Sequence, residues 1–285
     1  MSARYLLAIS EPDPVAPRVA DRWGVLPSEG EFVDGVPIRR LSADALLLKR
    51  HPLHIHDERL DARLPSTLRE RPITIVFPSV HRSEQNVECL TVHPLGNPGA
   101  DAEVGGRSSS WVPSDPELMV GALRRIAETA PSAGLTVTYE ATHHGPYLEV
   151  PAFFAEIGFG TAPGPSEPAV RILADALSDL TAGSGDRIAL AVGGGHYAPH
   201  FTDLALRRRW AFGHLISRHA LDGLSAASAR AAGAAVPGSE GIVFARAEDA
   251  RRPIWEGVGA RLREQDAPRR ATEPVSDAVR PASGT

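Results

Sequence analysis

Cysteine is almost absent from this chain. Cys89 is the only one among 285 residues, which excludes both a disulfide framework and a cysteine-based zinc site. Any metal would have to be held by histidines and carboxylates. In the apolar stretch "ECLTV" a lone cysteine reads as a small hydrophobe, not as a nucleophile. Lysine is equally scarce, with Lys49 the only one. The positive charge is arginine, as GC-rich coding with abundant Ala, Gly and Pro would produce; arginine forks also suit phosphate oxygens. No apolar run reaches the ~20 residues that span a bilayer. The apolar part of "MSARYLLAIS" is short and meets Glu11-Pro12-Asp13 at once, which is a first strand and not a signal peptide. A cytoplasmic protein with no membrane partner is expected. Familiar motifs are missing too: no H-E-x-x-H, no G-x-S-x-G elbow, no P-loop lysine and no G-x-G-x-x-G.

What is present is an ordinary globular composition, 42% hydrophobic with a net charge of −5. Short apolar runs predict strands at residues 4–9, 43–48, 73–77, 89–93, 135–141, 187–192 and 241–245. Helical patterns lie between them, at 114–130 with Ser114 and Glu117 at capping-box spacing, at 166–181, and at 203–221. The alternation predicts an α/β fold. A single catalytic domain over residues 1–263 is expected, with a disordered tail of Pro, Ala, Ser and charge from 264 to 285. The Gly-rich stretch 97–110 reads as a flap.

Four of the predicted strands end in histidine. "ITIVFPSVHRSE" supplies His81 and "CLTVHPLGN" supplies His93. "LTVTYEATHHGP" supplies His143 and His144, and "RIALAVGGGHYAP" supplies His196. Ligands of α/β sheets bind at the carboxyl ends of strands, so these imidazoles are expected to converge on one crevice. The glycines 193–195 let the backbone turn sharply and turn N–H groups toward an anion. His51, His54 and His56 alternate like ligands on one strand face, although a solvated edge explains them as well. His214 and His219 fall in the long basic helical pattern. With Glu140, Glu149 and Glu156, the strand-end histidines supply enough groups to activate a water or bind a metal. Which of them bind is left open by the sequence.

Taken together, "HRSE" 81–84, "LTVHPLGN" 90–97, "GG" 105–106, "THHGP" 142–146, "P..F.EIG" 151–158, "GGGHYAPHFT" 193–202 and "FGHLIS" 212–217 resemble the archaeal- and plant-type D-aminoacyl-tRNA deacylases. The resemblance spans residues 1–220 or so. It implies an α/β fold with a mixed central sheet and flanking helices, similar to phosphorylase and peptidyl-tRNA hydrolase proteins. It implies hydrolysis of the ester joining a D-amino acid to tRNA, in translation quality control, by a zinc- or histidine-activated water. A monomer is expected. On this likeness His81, His93, His144 and His196 are the candidate catalytic residues. His143, His144, His196 and Glu156 are the candidate zinc ligands. Ser83, Asn97, Gly145, Pro146, Gly193, Gly194, Gly195, Tyr197 and Thr202 are expected to contact substrate or tRNA, and Arg207, Arg208 and Arg209 to meet its phosphates at the rim of the crevice. Departures from the family pattern are His200, where a Lys or Arg is usual, Phe159, and Glu84-Gln85-Asn86. Peptidyl-tRNA or nucleoside chemistry on the same fold, or tRNA binding without catalysis, are the competing readings.

Overall fold

A computed structural model describes residues 3–26, 28–82 and 87–270. Fourteen strands appear in these residues. They are β1 Tyr5–Ser10, β2 Ser28–Val33, β3 Val36–Arg40, β4 Ala45–Arg50, β5 Thr74–Arg82, β6 Cys89–Pro94, β7 Gly96–Asn97, β8 Ser110–Trp111, β9 Thr136–Tyr139, β10 Ala152–Phe159, β11 Arg187–Val192, β12 Trp210–Ile216, β13 Ile242–Phe244 and β14 Arg261–Leu262. The helices are α1 Ala16–Ala20, α2 Leu60–Arg63, α3 Ser66–Arg69, α4 Pro116–Thr129, α5 Glu167–Ser178, α6 Pro199–Arg207 and α7 Ala226–Ala234. A mixed eight-stranded sheet runs β2-β3-β4-β1-β5-β10-β6-β9, and a parallel four-stranded sheet runs β12-β11-β13-β14. The expected α/β class with a mixed central sheet is therefore present, and all seven predicted strands form.

Helix α5 begins where the sequence places it, and α4 one residue later: Asp115, not Ser114, is its cap, because the Ser114 hydroxyl donates to Ala235 O instead. Asp115 accepts from Leu118 N at 3.0 Å and Ser166 accepts from Ala169 N at 3.3 Å, each followed by a proline in the first turn. Their apolar stripes carry Met119, Leu123 and Ile126 on α4 and Ile172 and Leu173 on α5. These pack with Val76, Val92, Phe153 and Ile157 in one buried core. The opposite face of the large sheet carries Phe77 and Phe154 into a second core with Leu6, Leu48 and Leu95.

Three expectations need correction. The pattern at 203–221 is not one helix: α6 ends at Arg207, and Trp210–Ile216 is a wholly buried strand beside β11. A continuous apolar run has no period by which to tell a buried strand from a buried helix. Residues 54–56 form a 3-10 turn, not a strand. Residues 264–270 are not a loose tail. Ala267 is fully buried, Glu264 O accepts from Trp210 Nε1 at 3.1 Å, and Arg269 pairs with Arg208. Residues 271–285 lie outside the described residues. Among the described residues no helix is long and apolar enough to cross a membrane.

Candidate active site

Strand register builds the floor of the site. Side chains alternate across a strand, so residues of one parity share a face. Between β5, β10 and β6 the register pairs Glu156 with Ser79 and Thr91, Gly158 with His81 and Cys89, and Phe154 with Phe77 and His93. His81, Glu156 and His93 thus stand on the same face of the large sheet. His93 stacks on Phe154 with ring centroids 5.2 Å apart. Beyond β9 the chain stays extended and stitches the two sheets together. Ala141 N donates to His196 O at 2.8 Å, Ala198 N to Tyr139 O at 2.9 Å, and Thr142 N to Leu215 O at 2.8 Å. This seam carries Glu140, His143 and His144 to the turn after β11, where His196 sits.

Five histidines and two glutamates meet there. His143 lies 4.2 Å from His93, 4.3 Å from His144 and 4.7 Å from His196 between ring centroids, and His81 lies 5.4 Å from His196. Glu140 is fully buried; its Oε2 is 3.0 Å from His196 Nε2 and 3.7 Å from His143 Nε2, and its Oε1 is 3.4 Å from His81 Nδ1. Glu156 Oε2 lies 3.5 Å from His93 Nε2 and 3.6 Å from His81 Nδ1. Tyr197 shares a 3.0 Å hydrogen bond between its hydroxyl and His81 Nε2. A pocket of about 280 Å³ adjoins the cluster, lined by Asn97, Asp101, Glu103, Val104, His143 and His144 among others.

Three of the imidazoles have their tautomer set by the backbone. A carbonyl oxygen only accepts, so a ring nitrogen bonded to one carries the proton. His93 Nδ1 donates to Pro94 O at 3.1 Å, His143 Nδ1 to Ala141 O at 2.8 Å and His144 Nδ1 to Gly145 O at 2.7 Å. When neutral, each ring presents an Nε2 lone pair, the usual preparation of a metal-binding histidine. Ligand atoms of His93, His143 and His144 lie within 4.8 Å of one another; so do those of His81, Glu140 and His196, and those of His93, Glu140 and Glu156. Burial, and then the neighbouring His93, lowers the pKa of His143 and brings that of His144 to about 4. Burial works the same way on His81 and His93, but Glu156 and Glu140 outweigh it and raise both. Burial opposes ionisation of Glu156 and Glu140 too, and the surrounding histidines overcome it and keep both below the usual carboxylate range. Cys89 is buried, with its pKa raised to about 11 by that burial, which suits a small hydrophobe and not a nucleophile.

These opposed shifts give a stability profile for the metal-free chain. The folded pKa values of His143 and His144 lie below the unfolded value of about 6.5, so the unfolded chain binds the extra protons and stability falls as pH drops beneath that value. His81 and His93 contribute stability that is complete below about 6.5 and is lost as pH rises through their raised folded values. Denaturant titrations in chelator should therefore show a maximum close to pH 6.5–7, roughly where the two effects cross. A monotonic rise from pH 5 to pH 9 (roughly two units either side) would contradict this charge assignment.

Two supporting groups escaped the sequence reading. His214 belongs to β12, not to a basic helix face. It is fully buried, with Nε2 donating to Val112 O at 3.0 Å and Nδ1 accepting from Thr142 Oγ1 at 3.0 Å, while Thr142 Oγ1 accepts from Leu215 N at 3.1 Å. The chain of bonds runs one way and fixes Thr142 directly before His143. Thr142→Val removes one hydroxyl and strands two buried partners, which should cost on the order of 3 kcal/mol in urea unfolding; a loss below about 0.5 kcal/mol would show the bonds to be dispensable. Asp13 accepts from Ser79 Oγ at 2.8 Å and Val80 N at 3.1 Å, as well as from Val15 N and Ala16 N at 2.7 and 2.8 Å, and so clamps β5 just ahead of His81.

Other candidate residues lie elsewhere or have other partners. Thr202 is fully buried, accepting from Tyr139 N at 2.8 Å and donating to Ala198 O at 2.9 Å. Arg207, Arg208 and Arg209 stand at the start of β12, the opposite end of that strand from the turns carrying His196. Arg207 pairs with Asp203, Arg208 donates to Ala267 O at 3.3 Å, and Arg209 donates to Gly185 O at 3.0 Å. They do not rim the crevice. Gly145 and Pro146 are packed under the 97–110 stretch: a Cβ on Gly145 would meet Gly106 N at 2.1 Å and Gly105 C at 2.5 Å. That direction is filled by backbone, not by a substrate. Asn97 lines the pocket and donates from Nδ2 to Gly105 O at 2.9 Å, holding this stretch in place. His54 is buried between Ser10 N and Ala8 O, at 3.0 Å from each, and Glu149 bonds Arg59 at 2.9 Å on the surface. Ser83 lies outside the described residues.

Known proteins resemble this chain over much of its length. A D-aminoacyl-tRNA deacylase family model matches residues 68–260. A D-aminoacyl-tRNA deacylase of Methanosphaerula palustris is 35% identical over 93% of this chain, which spans 57% of that relative's length. The Pyrococcus abyssi and Pyrococcus horikoshii proteins of the same name are 37% and 39% identical, over 71% and 67% of this chain and 75% and 72% of their own. A crystal structure of a conserved protein of unknown function shares the fold, with a TM-score of 0.76 at 24% identity over 93% of this chain and 96% of its own. With the family model covering most of the chain, and relatives more than 30% identical matched across more than two thirds of their length, the chain belongs to the D-aminoacyl-tRNA deacylase family.

Proposed function

We propose that the histidine–glutamate crevice hydrolyses the ester between a D-amino acid and tRNA, releasing both. The observation that carries this reading is the trio His93, His143 and His144, each with Nδ1 held by a backbone carbonyl and Nε2 left for a ligand. An aminoacyl ester is already activated. Its cleavage needs a positioned water, a group to take its proton and donors for the oxyanion.

The donor set fits a zinc ion. It is nitrogen and carboxylate oxygen throughout, and His93 Nε2 is buried without a directed hydrogen bond among the described residues. His93, His143 and His144 would hold the ion, with His81, Glu140 and His196 a second set beside them. When bound, zinc would lower the pKa of a coordinated water toward ~7. His196 has a 47% exposed side chain whose Nε2 faces the buried Glu140 carboxylate. With its proton on Nε2, the ring offers Nδ1 to a water as base, and Glu140 stabilises the imidazolium that results. Tyr197, bonded to His81, stands next in the chain as a hydroxyl donor for developing charge.

The test is a panel of D-aminoacyl-tRNA, N-blocked peptidyl-tRNA and free nucleosides. Release of the amino acid from the first alone is expected. Comparable cleavage of either of the others would overturn the assignment.

A further inference from the structure

We propose that Arg218, with the open turn Gly194–Gly195, forms a phosphate subsite beside the crevice and takes the 5′-phosphate of the nucleotide that bears the ester. The inference rests on the deacylase reading above. It starts from how the turns after β11 and β12 abut. Gly193 N donates to Ile216 O at 2.9 Å, and Arg218 N donates to Gly194 O at 3.0 Å. The same two turns reach the site from either side. His196 follows the glycines, and Ala220 lines the pocket shared with His143 and His144. Arg218 therefore stands between the catalytic turn and the pocket mouth.

Its surroundings set it apart from the arginines that the sequence singled out. Arg207, Arg208 and Arg209 are engaged by Asp203 or by backbone carbonyls. The Arg218 side chain is exposed and has neither a carboxylate nor a carbonyl partner among the described residues. An unengaged guanidinium offers a planar fork matched to phosphate oxygens. The glycines beside it are also informative. Gly194 has φ +82°, a conformation that favours glycine. Gly195 has no such φ, and a Cβ there would meet nothing nearer than Tyr197 O at 3.8 Å. Neither backbone nor packing requires glycine at 195; its bareness leaves room for a group to approach the main chain. Neither the Gly194 nor the Gly195 N–H makes a backbone hydrogen bond among the described residues. Free backbone donors in one turn and an unengaged guanidinium on the turn bonded to it supply complementary groups for an anion.

The test compares three D-aminoacyl esters, those of adenosine, of adenosine 5′-monophosphate and of tRNA, on the wild type, Arg218→Ala and Arg218→Lys. In the wild type the 5′-phosphate should raise kcat/KM by about tenfold or more. Arg218→Ala should abolish that gain while hydrolysing the adenosine ester at the wild-type rate, and Arg218→Lys should keep part of it. With tRNA, the logarithmic salt slope should fall by about 0.7 to 0.9 in Arg218→Ala. No gain from the phosphate in the wild type, or equal losses on the adenosine and monophosphate esters in Arg218→Ala, would overturn the subsite and leave the deacylase reading intact. A wild type that cleaves none of the three esters overturns the deacylase reading, and the subsite with it.

Discussion

Gly145→Ala should be both unstable and inactive. The added methyl would lie 2.1 Å from Gly106 N, 2.5 Å from Gly105 C and 2.7 Å from Gly106 Cα, and all three atoms belong to the main chain. No side-chain rotation relieves such a contact. The 104–106 segment must move, breaking the 3.2 Å bond from Gly145 N to Val104 O and the 2.6 Å bond from Gly106 N to Glu58. Overpacking against rigid backbone should cost at least about 3 kcal/mol. The same shift drags His144, whose Nδ1 is anchored on Gly145 O at 2.7 Å, and displacement by about 1 Å lowers activity on the order of 100-fold. Melting curves and single-turnover hydrolysis on one preparation check both parts. Wild-type stability in this variant would show that the two glycine segments do not pack as described. In the sequence Gly145 and Pro146 are expected substrate contacts, a role in which alanine would lower activity far more than stability.

Glu140→Gln should lower kcat by roughly 1,000-fold or more with little change in KM. Glu140 faces His81, His143 and His196, so one substitution touches three imidazoles. An amide keeps the shape but removes the charge that stabilises an imidazolium. It also offers an N–H where His196 needs an acceptor. Glu156 still raises the pKa values of His81 and His93, but removing the Glu140 charge takes away part of what offsets burial there, so both should fall. NMR titration of the histidines would register this even in an inactive protein. A variant within about threefold of wild-type kcat would place the base elsewhere in the cluster.

The histidines are legible in the sequence because strand-end position is a local signal. His81, His93, His143, His144 and His196 each follow an apolar run, and the fold brings all five together. What joins them is not legible in the same way. Glu156 is one of several candidate carboxylates in the sequence, with nothing local to single it out. It sits in β10, the strand between β5 and β6, yet a carboxylate inside "AFFAEIGF" breaks the apolar pattern by which a buried strand is found. Its place beside Ser79 and Thr91 becomes visible only through register. Strand β12 is hidden for the converse reason, since "WAFGHLI" is buried on every side and has no period to read. His214 is misplaced with it. The arginines 207–209 look like a phosphate stripe in one dimension, but their chain position puts them at the wrong end of the second sheet. Arg218 is an isolated residue in the sequence and gains meaning only from the turn it touches.

The proposed activity of this cluster is cleavage of D-aminoacyl esters with L-aminoacyl esters spared. It is tested most directly by paired D- and L-aminoacyl-tRNA carrying the same side chain, assayed with and without a chelator. The D-ester should be hydrolysed at least about 100-fold faster than the L-ester, the chelator should suppress that activity, and added zinc should restore it. Equal rates on the two enantiomers, or D-specific hydrolysis untouched by exhaustive chelation, would contradict the account.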